Sequence, residues 1–147
     1  MTPEEHRRLG IELYNGTWKL LGGGADPEET IDAAHASAHH WRHAAGTTAA
    51  NPARGHWLCS HVYAVLGRAE PALHHAARCL ELVQARPAEM EDFDLPSAYE
   101  ALARAHAAAG DRAEAARYVE LGRAETAKIE DAADRKHLES QFATIAT

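Results

Sequence analysis

Two stretches of the chain, residues 56–79 and 99–122, set similar kinds of side chain at the same distances from a central glycine. Tyr99, Leu102, Ala103 and His106 precede Gly110, and Ala115, Val119 and Gly122 follow it. His56, Cys59, Ser60 and Tyr63 precede Gly67 at matching offsets, and Ala72, Ala76 and Cys79 follow it. A helix, a glycine turn and a second helix, with small residues where the two must touch, make a helical hairpin. One hairpin cannot bury its apolar face alone, so the repeat predicts an all-α stack. Alanine supplies much of the 46% hydrophobic content, while aromatics are only 6%. Alanine is the best helix former and lets helices approach closely.

The punctuation along the rest of the chain is equally regular. "GGGADPEE" breaks it and restarts it with Asp26 as N-cap and Pro27 at the first helical position. "GTTAANPARG" breaks it again, with Asn51-Pro52 as the next start. Asp94 before Leu95-Pro96, Asp111 after Gly110, and Asp131 are further caps. Between breaks the apolar residues step by three or four, as in Ile31, Ala34, Ala38, Trp41 and Ala45. No stretch alternates long enough to be a strand. The pattern predicts seven helices, over 3–21, 27–45, 52–66, 69–85, 95–109, 112–127 and 131–145. They form one domain over 1–147, with hairpins at 3–45, 52–85 and 95–127 and a capping helix at 131–145. A chain of this length buries roughly 68–70% of its unfolded surface, so it needs no disulfide or metal to fold.

The second unit, with Tyr99, Leu102, Ala103, Gly110, Ala115 and Val119, resembles the tetratricopeptide repeat (TPR). The first departs from it. His56 stands where the leading aromatic would be, with Trp57 one place late, and both units lack the closing proline. The units lie 43 residues apart rather than 34, through an insertion over 85–94. The likeness is close over 52–127, looser elsewhere, and extends to small bacterial TPR-like proteins. It implies a concave face that binds peptides or protein partners, and no catalysis.

Charge narrows the partners. The net charge is −7 with neutral histidines, which argues against nucleic acid, whose binders carry basic patches. No apolar run reaches 18 residues and "MTPEEHRRLG" lacks an apolar leader core, so the expectation is a cytoplasmic protein with no membrane contact. Cys59 and Cys79 lie on either side of the Gly67 turn and are read as reduced, buried neighbours. A redox switch between them is the alternative.

The residues expected to line the groove are His40, Trp41, His56, Trp57, Tyr99, Glu100 and Arg104. Arg104, with Tyr99 and His106, would hold a carboxylate or a peptide terminus. The other reading of Glu100 and Arg104 is an i,i+4 surface pair. Trp18, Trp41 and Trp57 read first as core. The preferred function is a non-enzymatic interaction module for a protein, a peptide or a small anionic ligand. No cofactor is expected, and self-association or service as a subunit of a larger complex is a further expectation.

"HASAHHWRHAAG" carries the competing reading, a divalent-metal-dependent binder or enzyme. His35 and His39 are an i,i+4 pair able to share Zn²⁺, with Glu5 or Glu12 of the first helix completing the site. His35, His39 and His43 cannot all reach one ion, since eight residues of helix span about 12 Å. The alternative is a solvated helix face. The His74-His75 pair is a weaker candidate. There is no HExxH and no Cys/His ligand spacing, and no GxSxG, P-loop or GxGxxG is present. "EMEDFD" lacks the spacing of a calcium loop.

Overall fold

In the computed structural model, which describes residues 1–147, the chain is all-helical. Its helices are α1 (Pro3–Gly22), α2 (Pro27–Arg42), α3 (Ala50–Val65), α4 (Ala69–Ala85), α5 (Asp94–Ala108), α6 (Arg112–Thr126) and α7 (Ala132–Ala143). One 3-10 turn, Pro87–Glu89, interrupts the connector between α4 and α5. The helices pair in order as α1–α2, α3–α4 and α5–α6, and α7 closes the end against α5 and α6.

The three hairpin turns are built alike. Gly24, Gly67 and Gly110 have φ of 64°, 75° and 79°. The next residue then donates its N–H five residues back, Ala25 to Leu20, Arg68 to Tyr63 and Asp111 to His106, at 2.8–3.1 Å. This is the helix-ending motif that glycine allows at no steric cost. Thr17, Ser60 and Ala103, each seven residues before its turn glycine, are fully buried. Ser60 and Ala103 lie opposite buried Ala72 and Ala115, and Ser60 Oγ donates to the Ala72 carbonyl at 2.8 Å.

Three departures from the predicted boundaries have a visible cause, and the other ends agree to within two residues. α2 ends at Arg42, not 45, because the chain leaving it is drawn back to α1. There the Ala45 N–H bonds the Pro3 carbonyl, and Arg7 bonds the Ala45 carbonyl at 3.0 Å. α3 starts at Ala50, with Asn51-Pro52 inside its first turn and Thr48 supplying the capping oxygen. Asp94 is the first residue of α5 rather than its side-chain cap, since its carboxylate turns to Arg54.

The main core runs through α2 to α5 around Leu58, Val62, Leu102 and a row of alanines. A smaller core of Ile129, Leu138 and Phe142 seats α7. Gly122 is what lets it sit there, for a Cβ on that residue would stand 2.1 Å from the Phe142 ring.

Candidate functional site

The expected groove residues do not form one surface. Glu100 is fully buried, and its carboxylate accepts from Trp57 Nε1 at 3.0 Å and from Arg104 Nε at 2.7 Å. Arg104 also donates to the Gln141 carbonyl and to Thr144 Oγ1 on the α7 side. Glu100 and Arg104 are therefore an internal clamp on α7, neither a surface pair nor an open carboxylate-binding site. Burial pushes the Glu100 carboxyl up, against the opposing pull of Arg104 and Trp57. Tyr99 turns to α6 and stacks on Tyr118, as does His106. His40 meets His6 of α1, Nδ1 to Nδ1 at 2.8 Å. His56 meets His75 of α4, Nδ1 to Nδ1 at 2.9 Å.

Trp41 and Trp57 are different, for both line clefts. One cleft, of about 320 Å³, lies between α1 and α3 and includes Arg7, Ile11, Tyr14, Trp41, Arg54 and Phe93. A second, of about 220 Å³, continues towards α7 and includes Trp57, Ser97, His137 and Gln141. Tyr14, Arg54 and Phe93 belong to both, so the two adjoin. The sequence reading missed all three.

Arg54 is the centre of this surface. Its Nε and Nη2 donate to the two oxygens of buried Asp94 at 3.0 and 2.9 Å. Its guanidinium lies 4.9 Å over the Phe93 ring. The fork is fixed from below by a carboxylate and from the side by an aromatic, while Nη1 has no partner in the chain. Arg7 lies over the Trp41 ring in the same way, at 5.2 Å. The Trp41 ring in turn sits on Gly10, close enough that a Cβ there would stand 3.0 Å from it. Burial pushes the Tyr14 phenol up to about 12, so it stays a neutral hydroxyl. Arg7 and Arg54 are the only charged side chains on the 320 Å³ cleft.

The chain matches no protein-family model, no curated protein and no solved structure.

Eight of the eleven histidines fall into two groups, one of His6, His39, His40 and His43 and the other of His35, His56, His74 and His75. His6, His39, His40 and His43 gather where α1 begins and α2 ends, with ring centroids 4.9–6.3 Å apart. His35 leaves its i,i+4 partner His39 and turns to α3 and α4. Its Nε2 lies 2.8 Å from the Tyr63 hydroxyl and its Nδ1 lies 3.9 Å from Cys59 Sγ. The expected His35/His39 pair is thus split between two clusters. No carboxylate of α1 joins it, since Glu5 bonds the Thr2 N–H and Glu12 pairs with Arg8. Cys59 faces His35 at hydrogen-bonding range, and both thiols are free and buried. Cys79 instead lines the base of the cleft towards α7.

His61 is held between two indoles, 4.9 Å from Trp18 and 5.5 Å from Trp57. Its Nδ1 is buried with no partner. Burial lowers its pKa to about 4, with a smaller push from Arg104.

Proposed function

We propose that this chain is a non-enzymatic, TPR-like interaction module that holds an anionic segment with an apolar side chain in the cleft between α1 and α3. The carrying observation is its charge. In a chain of net charge −7, no acidic side chain lines this cleft, Arg7 makes no ion pair, and Arg54, paired with buried Asp94, keeps its Nη1 free. Arg54 is pre-set by Asp94 and Phe93, so little side-chain entropy is lost when its free Nη1 meets a carboxylate. Tyr14, Trp41, Ile11 and Phe93 supply the apolar walls that such a site needs. Asn15 and Asn51 add amides able to meet the backbone of a peptide. A peptide ending in a free carboxylate after a large apolar residue matches that chemistry. So does a small amphipathic acid.

The test is selection from a random peptide library with free C-termini, run in parallel with an amidated library. The reading expects peptides only from the first. It expects them to be lost on Arg7→Glu and on Ile11→Asp, since both side chains line the cleft and Ile11 is exposed. Equal yields from both libraries, or retention by both variants, would remove it.

A further inference from the structure

We propose that His35, Cys59 and His75 form a binding site for a single zinc ion where α2, α3 and α4 meet. The proposal is independent of the cleft reading, because it uses none of the residues that carry that reading. Three observations carry it.

The first is convergence. His35 comes from α2, Cys59 from α3 and His75 from α4, and one ligand atom of each lies within 4.8 Å of the other two. His56 is a hydrogen-bonded neighbour of His75, Nδ1 to Nδ1 at 2.9 Å. Zn–N bonds of ~2.1 Å and Zn–S bonds of ~2.3 Å put the corners of a tetrahedron roughly 3.4–3.7 Å apart. The 3.9 Å from His35 Nδ1 to Cys59 Sγ is close to that spacing. A hydrogen bond between two imidazoles accounts for His56 and His75 alone. It does not account for a buried thiol and a third imidazole, from another helix, facing the same point.

The second is outer support. The Tyr63 hydroxyl sits on His35 Nε2. With the ring proton on that nitrogen, the Nδ1 lone pair faces Cys59, which is how supporting hydrogen bonds fix the tautomer of a ligating histidine.

The third is size. The space enclosed by these side chains is about 30 Å³, room for one water molecule or one ion and for nothing organic. Arg42 lies on its edge and adds a positive charge, which the thiolate of Cys59 offsets. Burial pushes the free Cys59 thiol up to about 12. Binding Zn²⁺ therefore breaks the S–H bond, forms Zn–S and releases one proton to solvent. One Cys with two His, and a water in the fourth position, suits a borderline-soft ion with no preferred d-electron geometry.

His35, Cys59 and His75 come from three different helices, so no ligand spacing along the chain marks the site.

The experiment uses the full chain without a histidine tag, loaded with zinc or with cobalt as a spectroscopic probe. Expected are one tightly held equivalent and a thiolate-to-cobalt charge-transfer band. Cys59→Ser should abolish the band. His75→Gln should weaken zinc by more than the roughly 10–100-fold that loss of a supporting hydrogen bond costs. The double variant His6→Ala with His40→Ala should change neither. Circular dichroism of each metal-free variant checks that it is folded, and His75, only half-buried, is the safer substitution. No bound ion, a cobalt complex without the thiolate band, or binding lost only in the His6/His40 variant would each overturn the proposal. The last would place the ion on the other histidine cluster.

Discussion

Trp57 Nε1 donates to Glu100 Oε2 at 3.0 Å, from a ring on the wall of the cleft to a carboxylate with no exposure at all. The same carboxylate holds Arg104, which reaches over to α7. One buried acid therefore joins the cleft wall to the closing helix. Removing it leaves a guanidinium and an indole N–H unpaired. Breaking a buried pair from one side costs about 3–5 kcal/mol. Glu100→Ala should fall in the lower part of that range, because Arg104 keeps two bonds to α7 and some exposure. Glu100→Gln keeps one acceptor and should cost about 1–3 kcal/mol. Urea unfolding followed by tryptophan fluorescence measures both, and equal stability of Glu100→Ala and the parent would refute the clamp.

Two helix-interior glycines should respond to alanine with opposite signs. At Gly16 a Cβ meets nothing within 4 Å, so Gly16→Ala should gain about 0.5–1 kcal/mol from helix propensity. At Gly122 the Cβ would overlap the Phe142 ring. Overpacking of that kind costs about 1–3 kcal/mol and exceeds the same propensity gain. Thermal unfolding of the two variants gives the signs. Proteolysis of Gly122→Ala should also show α7 cut first.

Stability should fall as the pH drops below the ordinary histidine value of 6.5. His61 has its pKa lowered from 6.5 to about 4 by burial. Above pH 6.5 the histidine is neutral whether the chain is folded or not, and contributes nothing. Between pH 6.5 and 4 the unfolded chain binds a proton that the folded chain refuses, so stability declines across that window. The loss from His61 alone is on the order of 2–3 kcal/mol by pH 4, at 1.36 kcal/mol per pK unit. His61→Leu fills the same slot between Trp18 and Trp57. It should be at least as stable as the parent at pH 8 and clearly more stable at pH 5. A variant whose acid limb tracks the parent's would assign that limb elsewhere.

Arg54 should not be replaceable by lysine. The guanidinium reaches both oxygens of Asp94, which is 3% exposed, and an ammonium cannot match that fork. Arg54→Lys should lose about 1–2 kcal/mol of stability. It should also weaken any carboxylate ligand of the cleft, although the charge is kept. Retention of both properties would mean that only the charge matters there.

The hairpins were legible because their signals are local. Gly67 and Gly110 end helices through their own backbone conformation, and the small residues beside them follow from the same turn. α2 was read three residues too long because what stops it lies elsewhere in the chain, at Pro3 and Arg7. The sites were less legible for the same reason. Arg54 and Asp94 are forty residues apart and meet only when α5 docks on α3. A helical wheel places His35 and His39 as neighbours, yet α2 lies between α1 and α3 and sends them to opposite sides. His35, Cys59 and His75 come from α2, α3 and α4, so no local spacing marks the cluster.

The most direct test of the central claim is a two-dimensional NMR titration of the isotope-labelled chain with a selected free-carboxylate peptide. The account predicts that the Trp41 indole, the Asn15 and Asn51 amides and the Arg54 guanidinium shift together and saturate at one equivalent. The exposed apolar residues Val65 and Leu121, which lie outside the cleft, should stay still. Shifts centred on Val65 or Leu121, with the Trp41 and Arg54 signals unmoved, would contradict it.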